Sequence, residues 1–338
     1  MKRVLANVIV ACFLGCSSVP STAPPAAVGG NGDVPRGATD WPSGHDTPPP
    51  VHKAYPIVLA HGFSGFENIG PLNYFYGVKD ALSKDGHLVF VTQVDPYNSS
   101  EVRGAQLATQ VDQIVGETGS KVNLVCHSQG ALDCRYVANQ LGGAKIGAVV
   151  MVAGVNRGDY VADVAAGVVQ GPAGDAVAAL LKLFGSTVLD PGGNPNSDAK
   201  AAIAQLTTAG CDAFNTKYPD DPTVSYFSIA GRSENGGGDI DCGGASVAPF
   251  IGKWDQVKGP VNPLLAATAS IIDGSAKVPP TNDGLVTVAS AKWGTFLGCV
   301  PSDHLSEVCQ IGGQSSGSSF NCVTMYRDLA DWLVARGF

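Results

Sequence analysis

Cys126-His127-Ser128-Gln129-Gly130 stands between an apolar run, Lys121 to Cys126 (KVNLVC), and a helical stretch, Gln129 to Gln140. Strand, sharp turn and helix with a serine on the turn is the layout of a nucleophile elbow, usually written G-x-S-x-G. Small flanking residues let strand and helix pass closely. Gly130 meets that need; Cys126 replaces the first Gly and is small enough to do so. A serine hydroxyl is a poor nucleophile and needs a base within hydrogen-bond reach. Of the six histidines, His45 and His52 lie in or beside a Pro-rich stretch, His127 adjoins Ser128, and His87 opens a central strand. His61 and His304 remain, and the hydrolase order Ser…Asp/Glu…His selects His304.

The third member must be an acid ahead of His304, and Asp273, Asp283 and Asp303 are the candidates. Asp283 lies in Asn282-Asp283-Gly284-Leu285-Val286, a tight turn that presents a carboxylate rigidly, although the same pattern also suits a simple Asx turn. Asp303 adjoins His304 and would orient poorly toward its imidazole; Asp273 falls in a helix-like stretch. An oxyanion hole needs two backbone N–H groups. Gln129, after the serine, supplies one. Phe63 supplies the other from the loop His61-Gly62-Phe63-Ser64-Gly65, with His61 bracing that loop.

These residues need a scaffold, and the rest of the 338-residue chain reads as one. Continuous apolar runs at Pro56 to Ala60, His87 to Val94, Lys121 to Cys126, Ile146 to Ala153 and Val224 to Ala230 predict strands buried on both faces. Helical segments Leu72 to Asp85, Gly104 to Thr118, Gln129 to Gln140 and Val323 to Arg336 lie around them. The expected fold class is α/β, a mostly parallel central sheet flanked by helices. A net charge of −8 with no Lys/Arg cluster argues against nucleic acid as partner. Apart from the N-terminus no apolar stretch approaches membrane-span length, which excludes a multi-pass membrane protein.

Lys2 and Arg3 followed by the apolar Val4 to Leu14 read as an export signal. Its end, Phe13-Leu14-Gly15-Cys16, resembles a lipobox, so that Cys16 carries a lipid anchor or the leader is simply cleaved. Three regions follow: 1–16 as signal, 17–50 as a Pro/Gly/Ser-rich tether, and 51–338 as the catalytic domain. Beyond Cys12 and Cys16 there are seven cysteines without C-x-x-C spacing, which favours structural disulfides outside the cytoplasm and leaves one thiol free.

Over 55–338 the chain resembles the Pseudomonas–Burkholderia true lipases of the α/β-hydrolase fold. The resemblance is carried by VLAHGFSGFENI, VTQVDPYNSSEVRGAQLATQVDQIV, KVNLVCHSQG, FNTKYP, NDGLV and DHLSEVCQ, in that order. It implies Ser128 as nucleophile, Asp283 as acid, His304 as base, and Phe63 and Gln129 as oxyanion donors. It also implies a lid, which falls on the Ala/Val/Leu-rich stretch 160–189, a stretch that could equally be a core helix pair. A calcium ion steadies the histidine loop in that family, but its two carboxylate positions fall on Asn262 and Ser306, with only the neutral Gln310 retained; no metal or other cofactor is therefore expected. The family's disulfide is not reproduced either, because Ala289 takes one of its positions. A bridge among Cys299, Cys309 and Cys322 is the expected substitute, and the need for the family's folding chaperone is left open.

The expected activity is that of a secreted or surface-tethered carboxylic ester hydrolase, foremost a triacylglycerol lipase acting at a lipid–water interface. Short-chain, sterol or polymeric esters, or an acyl acceptor in place of water, remain alternatives. A silent lipid-binding lipoprotein is the alternative outside enzymes.

Overall fold

The structure, a computed structural model, describes residues 54–65, 68–69, 72–168, 197–234, 242–243, 247–254, 257–273, 280–310 and 320–338. The expected signal and tether, and 169–189 of the expected lid, lie outside the described residues.

Six parallel strands form the sheet, in the order β4-β1-β5-β6-β7-β8. They are β1 (Ile57–Ala60), β4 (Val89–Thr92), β5 (Val122–His127), β6 (Ile146–Val152), β7 (Ser225–Gly231) and β8 (Thr295–Val300). The two-residue strands β2 (Asn68–Ile69) and β3 (Leu72–Asn73) pair separately as an antiparallel ribbon. Alternation across the pleat divides each central strand between two cores. Ile57, Leu59, Val125, Val150 and Val152 face one, with Val78 and Leu82 of helix α1 (Val78–Lys84). Val58, Ala60, Leu124, Cys126 and Met151 face the other, with Leu107, Val111 and Ile114 of α2 (Ser100–Thr118) and Val137 of α3 (Gly130–Leu141). Shorter helices α4 (Tyr160–Ala165), α5 (Ala199–Leu206), α6 (Thr208–Lys217) and α7 (Ala266–Asp273) lie between β6 and β8 in the chain. The C-terminal α8 (Cys322–Val334) completes the first core with Met325, Tyr326 and Leu329.

All five expected strands are present, and the structure adds β8, whose first two residues, Thr295 and Phe296, are not buried. Register shifts there, between Ser228 and Ile229 of the neighbouring strand. The helix expected from Leu72 begins at Val78, because Gly77 at its N-cap has a φ of 71° and interrupts the helix. The helix expected from Gly104 begins four residues earlier, at Ser100, where the Ser99 hydroxyl accepts from the Val102 N–H. Of the expected lid, α4 is described, and it buries Val161 and Val164.

Three disulfides join Cys126 to Cys134, Cys242 to Cys299 and Cys309 to Cys322, and Cys211 is a buried free thiol. The last bridge is the expected restraint beside the histidine loop. The first was not foreseen; it links the end of β5 to the first turns of α3.

Helices α2 and α3 touch through Gly104, where a Cβ would come within 2.7 Å of the Tyr136 ring. Gly104→Val should therefore lower stability by about 1–3 kcal/mol through overpacking, although Gly is the poorer helix former. Urea unfolding midpoints of the two proteins measure this; an unchanged midpoint would mean that Tyr136 moves aside without cost.

Candidate active site

Parallel strands end on one edge of the sheet, and side chains on the loops there converge. His61 follows β1, Ser128 follows β5, Asp283 lies between β7 and β8, and His304 comes four residues after β8. Ser128 adopts the left-handed region, with φ 57°. The strain lifts its hydroxyl clear of the strand, and the backbone holds the turn: the Ser128 N–H donates to Val152 O (3.1 Å) while its carbonyl accepts from Ala131 (3.0 Å). Gly130 is needed by contact, since a Cβ there would lie 2.7 Å from His61 O and 2.8 Å from Ala60 O.

His304 Nε2 is 3.0 Å from Ser128 Oγ, and its Nδ1 is 2.8 Å from Asp283 Oδ2. Asp283 keeps that oxygen available because its Oδ1 accepts from the Leu285 and Val286 N–H groups, at 2.9 and 2.7 Å. The backbone doubles the link: the His304 N–H donates to Asp283 O at 2.9 Å. With the Nδ1 proton held by Asp283, Nε2 presents a lone pair to the hydroxyl. Such a chain can deprotonate a serine as it attacks an acyl carbon and return the proton to the leaving group.

Gln129 follows Ser128 in the chain, and Phe63 follows Gly62 on the loop after β1. A Cβ on Gly62 would fall 2.7 Å from Ser128 Cβ, so the β1 loop lies against the serine. Arg103 fixes this loop from behind: Nη2 donates to His61 O (2.8 Å) and Gly62 O (3.2 Å), Nη1 to Asp95 O (2.7 Å), and Nε to Asp133 Oδ2 (2.8 Å). The Gln129 side chain donates to Asn98 O at 2.8 Å. His61 is the expected brace. Its Nε2 accepts from Val94 N–H (3.2 Å), its Nδ1 bonds Gly62 O (2.9 Å), and burial together with Arg103 lowers its pKa to about 3.

The sequence reading missed two neighbours. The His127 ring lies 4.5 Å from that of His304, centroid to centroid, and its Nδ1 bonds the Tyr74 hydroxyl at 2.7 Å. Burial, then His304, holds its pKa well below the usual value. Glu307 is fully buried on a 3-10 turn (Ser306–Val308), where burial and then Asp283 and Asp303 push its carboxyl well above the usual range. The available signal was its spacing: a residue three places after His304 returns to the same side of a tight turn.

At the positions the resemblance gives to calcium, the groups are bonded to protein. Asp303 accepts from the N–H groups of Asn262 (2.6 Å), Ser306 (2.8 Å) and Leu305 (3.2 Å). Asn262 Oδ1 accepts from Leu264, and the Gln310 amide donates to Asn73 O and Tyr74 O. A hard dication wants six or more oxygens with carboxylates among them; here the one carboxylate already accepts three N–H groups, and the Asn262 and Gln310 amides are bonded to protein, so the set does not suit it.

The sheet and the serine, histidine and aspartate on its edge define an α/β-hydrolase. Comparison with known proteins narrows the class. The chain is 35% identical over 293 residues to a triacylglycerol lipase of Vibrio cholerae, covering 84% of this chain and 88% of that one. It is 32% identical to a triacylglycerol lipase of Pseudomonas fragi, covering 85% and 98%. Its fold is similar to that of a Staphylococcus hyicus lipase, with a TM-score of 0.54 at 15% identity over 85% of this chain and 96% of that one. A Bacillus licheniformis lipase in its mature form gives 0.55 at 20% identity over 78% and 89%. No protein-family model matches. The chain belongs to the family of these bacterial triacylglycerol lipases and is a serine carboxylic ester hydrolase of the lipase type.

The depressed pKa of His61 makes a prediction with a definite sign. Between its unfolded value, 6.5, and about 3, the unfolded chain binds a proton that the folded one refuses. Its contribution therefore falls as pH falls through that window, by up to about 1.4 kcal/mol per unit. Asp159, raised to about 7 by burial, acts in the opposite sense, so the wild-type slope is a net one. His61→Asn should make stability fall less steeply between pH 6.5 and 4.5 than in wild type, as measured by urea midpoints. Parallel pH profiles would contradict a neutral, buried His61.

Proposed function

We propose that the protein hydrolyses triacylglycerols and related carboxylic esters through an acyl-enzyme on Ser128, with His304 as general base and acid, Asp283 as its orienting acid, and Phe63 and Gln129 as oxyanion donors. The observation that carries this reading is the Ser128–His304–Asp283 chain of hydrogen bonds at 3.0 and 2.8 Å. The activity named for the Vibrio and Pseudomonas relatives supports the substrate class. In the mechanism, His304 removes the Oγ proton as Ser128 attacks, the two amides receive the developing oxyanion, and water repeats the sequence to release the acid. The 160–189 stretch serves as the part that meets a lipid surface, supported by its apolar, glycine-interrupted sequence. We also read the N-terminus as an export signal with a lipid-accepting Cys16 and a tether; the three disulfides support an oxidising compartment.

Ser128→Ala and His304→Ala should each cut turnover by at least about 1,000-fold without unfolding the protein. A series of p-nitrophenyl esters and emulsified triglycerides is the assay. Highest activity on long-chain emulsions supports a lipase, whereas activity confined to short dissolved esters would assign an esterase. A variant keeping a tenth or more of wild-type turnover would remove that residue from the mechanism.

The histidine loop works without calcium in this reading, held by the Asp303 carboxylate and by Cys309–Cys322. A chelator should leave activity and melting temperature unchanged. A Cys309→Ala/Cys322→Ala variant should melt about 5 °C lower or more, since closing a loop of this length contributes about 3 kcal/mol. Loss of activity on chelation, with no effect of removing the bridge, would reinstate the metal.

A further inference from the structure

Two side chains at the base of the site, beside His304, carry polar atoms that the hydrolysis does not use. Among the described residues, His127 Nε2 and both Glu307 carboxylate oxygens are buried without a hydrogen bond of ordinary geometry, an arrangement that proteins seldom retain. His127 Nε2 faces Glu307 Oε2 at 3.4 Å, and the same oxygen is 3.9 Å from His304 Nδ1. One ligand atom from each of the three residues lies within 4.8 Å of the others.

We infer that His127, Glu307 and His304 form a latent ligand set for a tetrahedral transition-metal ion of the zinc type, whose binding switches the enzyme off. Zinc takes ligands at about 2.0–2.2 Å in a tetrahedron, which sets ligand atoms about 3.3 Å apart; the 3.4 and 3.9 Å spacings here need the side chains to draw in around the ion. Two imidazoles and a carboxylate are donors that zinc favours, whereas calcium and magnesium want oxygen alone. Asp283 Oδ2, 2.8 Å from His304 Nδ1, is within reach as fourth ligand. Two carboxylates would then balance the dication, which a buried charge requires. With the His127 Nδ1–H donated to the Tyr74 hydroxyl oxygen at 2.7 Å, the ring is fixed and Nε2 turns a lone pair toward the cluster, as an outer partner arranges for a metal-bound histidine.

The step balances without a further reactant. The ion occupies His304 Nδ1, and the proton held there moves to Nε2; the Glu307 carboxyl proton leaves to solvent. Nε2 then points a hydrogen at Ser128 Oγ and can no longer accept one. This consequence rests on His304 being the general base; the ligand set itself does not.

The test uses the full-length enzyme preincubated with zinc chloride and assayed on a dissolved p-nitrophenyl ester. Each rate is normalised to the same protein's metal-free rate. Wild type should lose activity, regain it with a chelator, and ignore calcium and magnesium. Glu307→Gln and His127→Asn should each raise the half-inhibitory zinc concentration by about tenfold or more; if one fails to fold, the other carries the test. Inhibition at an unchanged concentration overturns the inference. Cobalt(II) supplies a second readout, a tetrahedral absorption band present in wild type and lost in Glu307→Gln. The band with full activity would refute His304 as the base while supporting the ligand set. No band would refute the ligand set and leave the assignment of His304 untouched.

Discussion

A guanidinium with no access to solvent holds the catalytic edge together. Arg103 and Asp133 are both buried, and taking two charges out of water is costly unless every donor is met. Here the remaining donors go to carbonyls of the loop after β1 and of Asp95. The Gly62 carbonyl and the Phe63 N–H belong to one trans peptide and point opposite ways. Drawing the carbonyl toward Arg103 therefore turns the amide away from it, as an oxyanion donor beside Ser128 requires. Asp133 belongs to the helix that Gly130 opens, so Arg103, paired with it, ties the loop after β1 to the helix that follows Ser128.

The opposite side of the site is fixed by carboxylates that bind backbone rather than ions. Asp283 receives two N–H groups on one oxygen and His304 on the other. Asp303 gathers three N–H groups from two segments. Both are buried, and each spends its oxygens locally, so the histidine loop gains stiffness from short-range bonds and from the bridge at its far end. Burial raises the pKa of Asp303 despite these bonds. Its grip therefore weakens on mild acidification sooner than that of an exposed carboxylate would.

Much of this was legible in the chain. Buried parallel strands announce themselves as apolar runs, and the strand-turn-helix around Ser128 locates the nucleophile without any partner in view. The order of residues then leaves one histidine and favours one aspartate. What escaped did so for physical reasons. Strand β8 opens on an exposed Thr295 and a half-buried Phe296, so only its last four residues form a buried apolar run. The 77–78 helix start depends on a left-handed glycine, a backbone state that sequence suggests but does not date to one residue. His127 and Glu307 are meaningful only through a contact between the nucleophile turn and a loop about 180 residues later. The Cys126–Cys134 bridge escaped because a set of cysteines favours disulfides without naming which of them pair.

The order of the disulfides along the chain has a consequence for how the protein is made. The pairs follow one another without crossing: 126 with 134, then 242 with 299, then 309 with 322. A chain emerging N-terminus first can close its first and last bridges by joining each cysteine to the next to appear. The middle one breaks that rule, because Cys211 appears before Cys242 and is its nearest preceding thiol. In the folded protein Cys211 is buried against Val155, where its thiol donates to a carbonyl and burial raises its pKa to about 12. A thiol that cannot ionise cannot attack. Once the helix bearing Cys211 is in place, that thiol is therefore withdrawn from exchange with Cys242 and the bridge it makes.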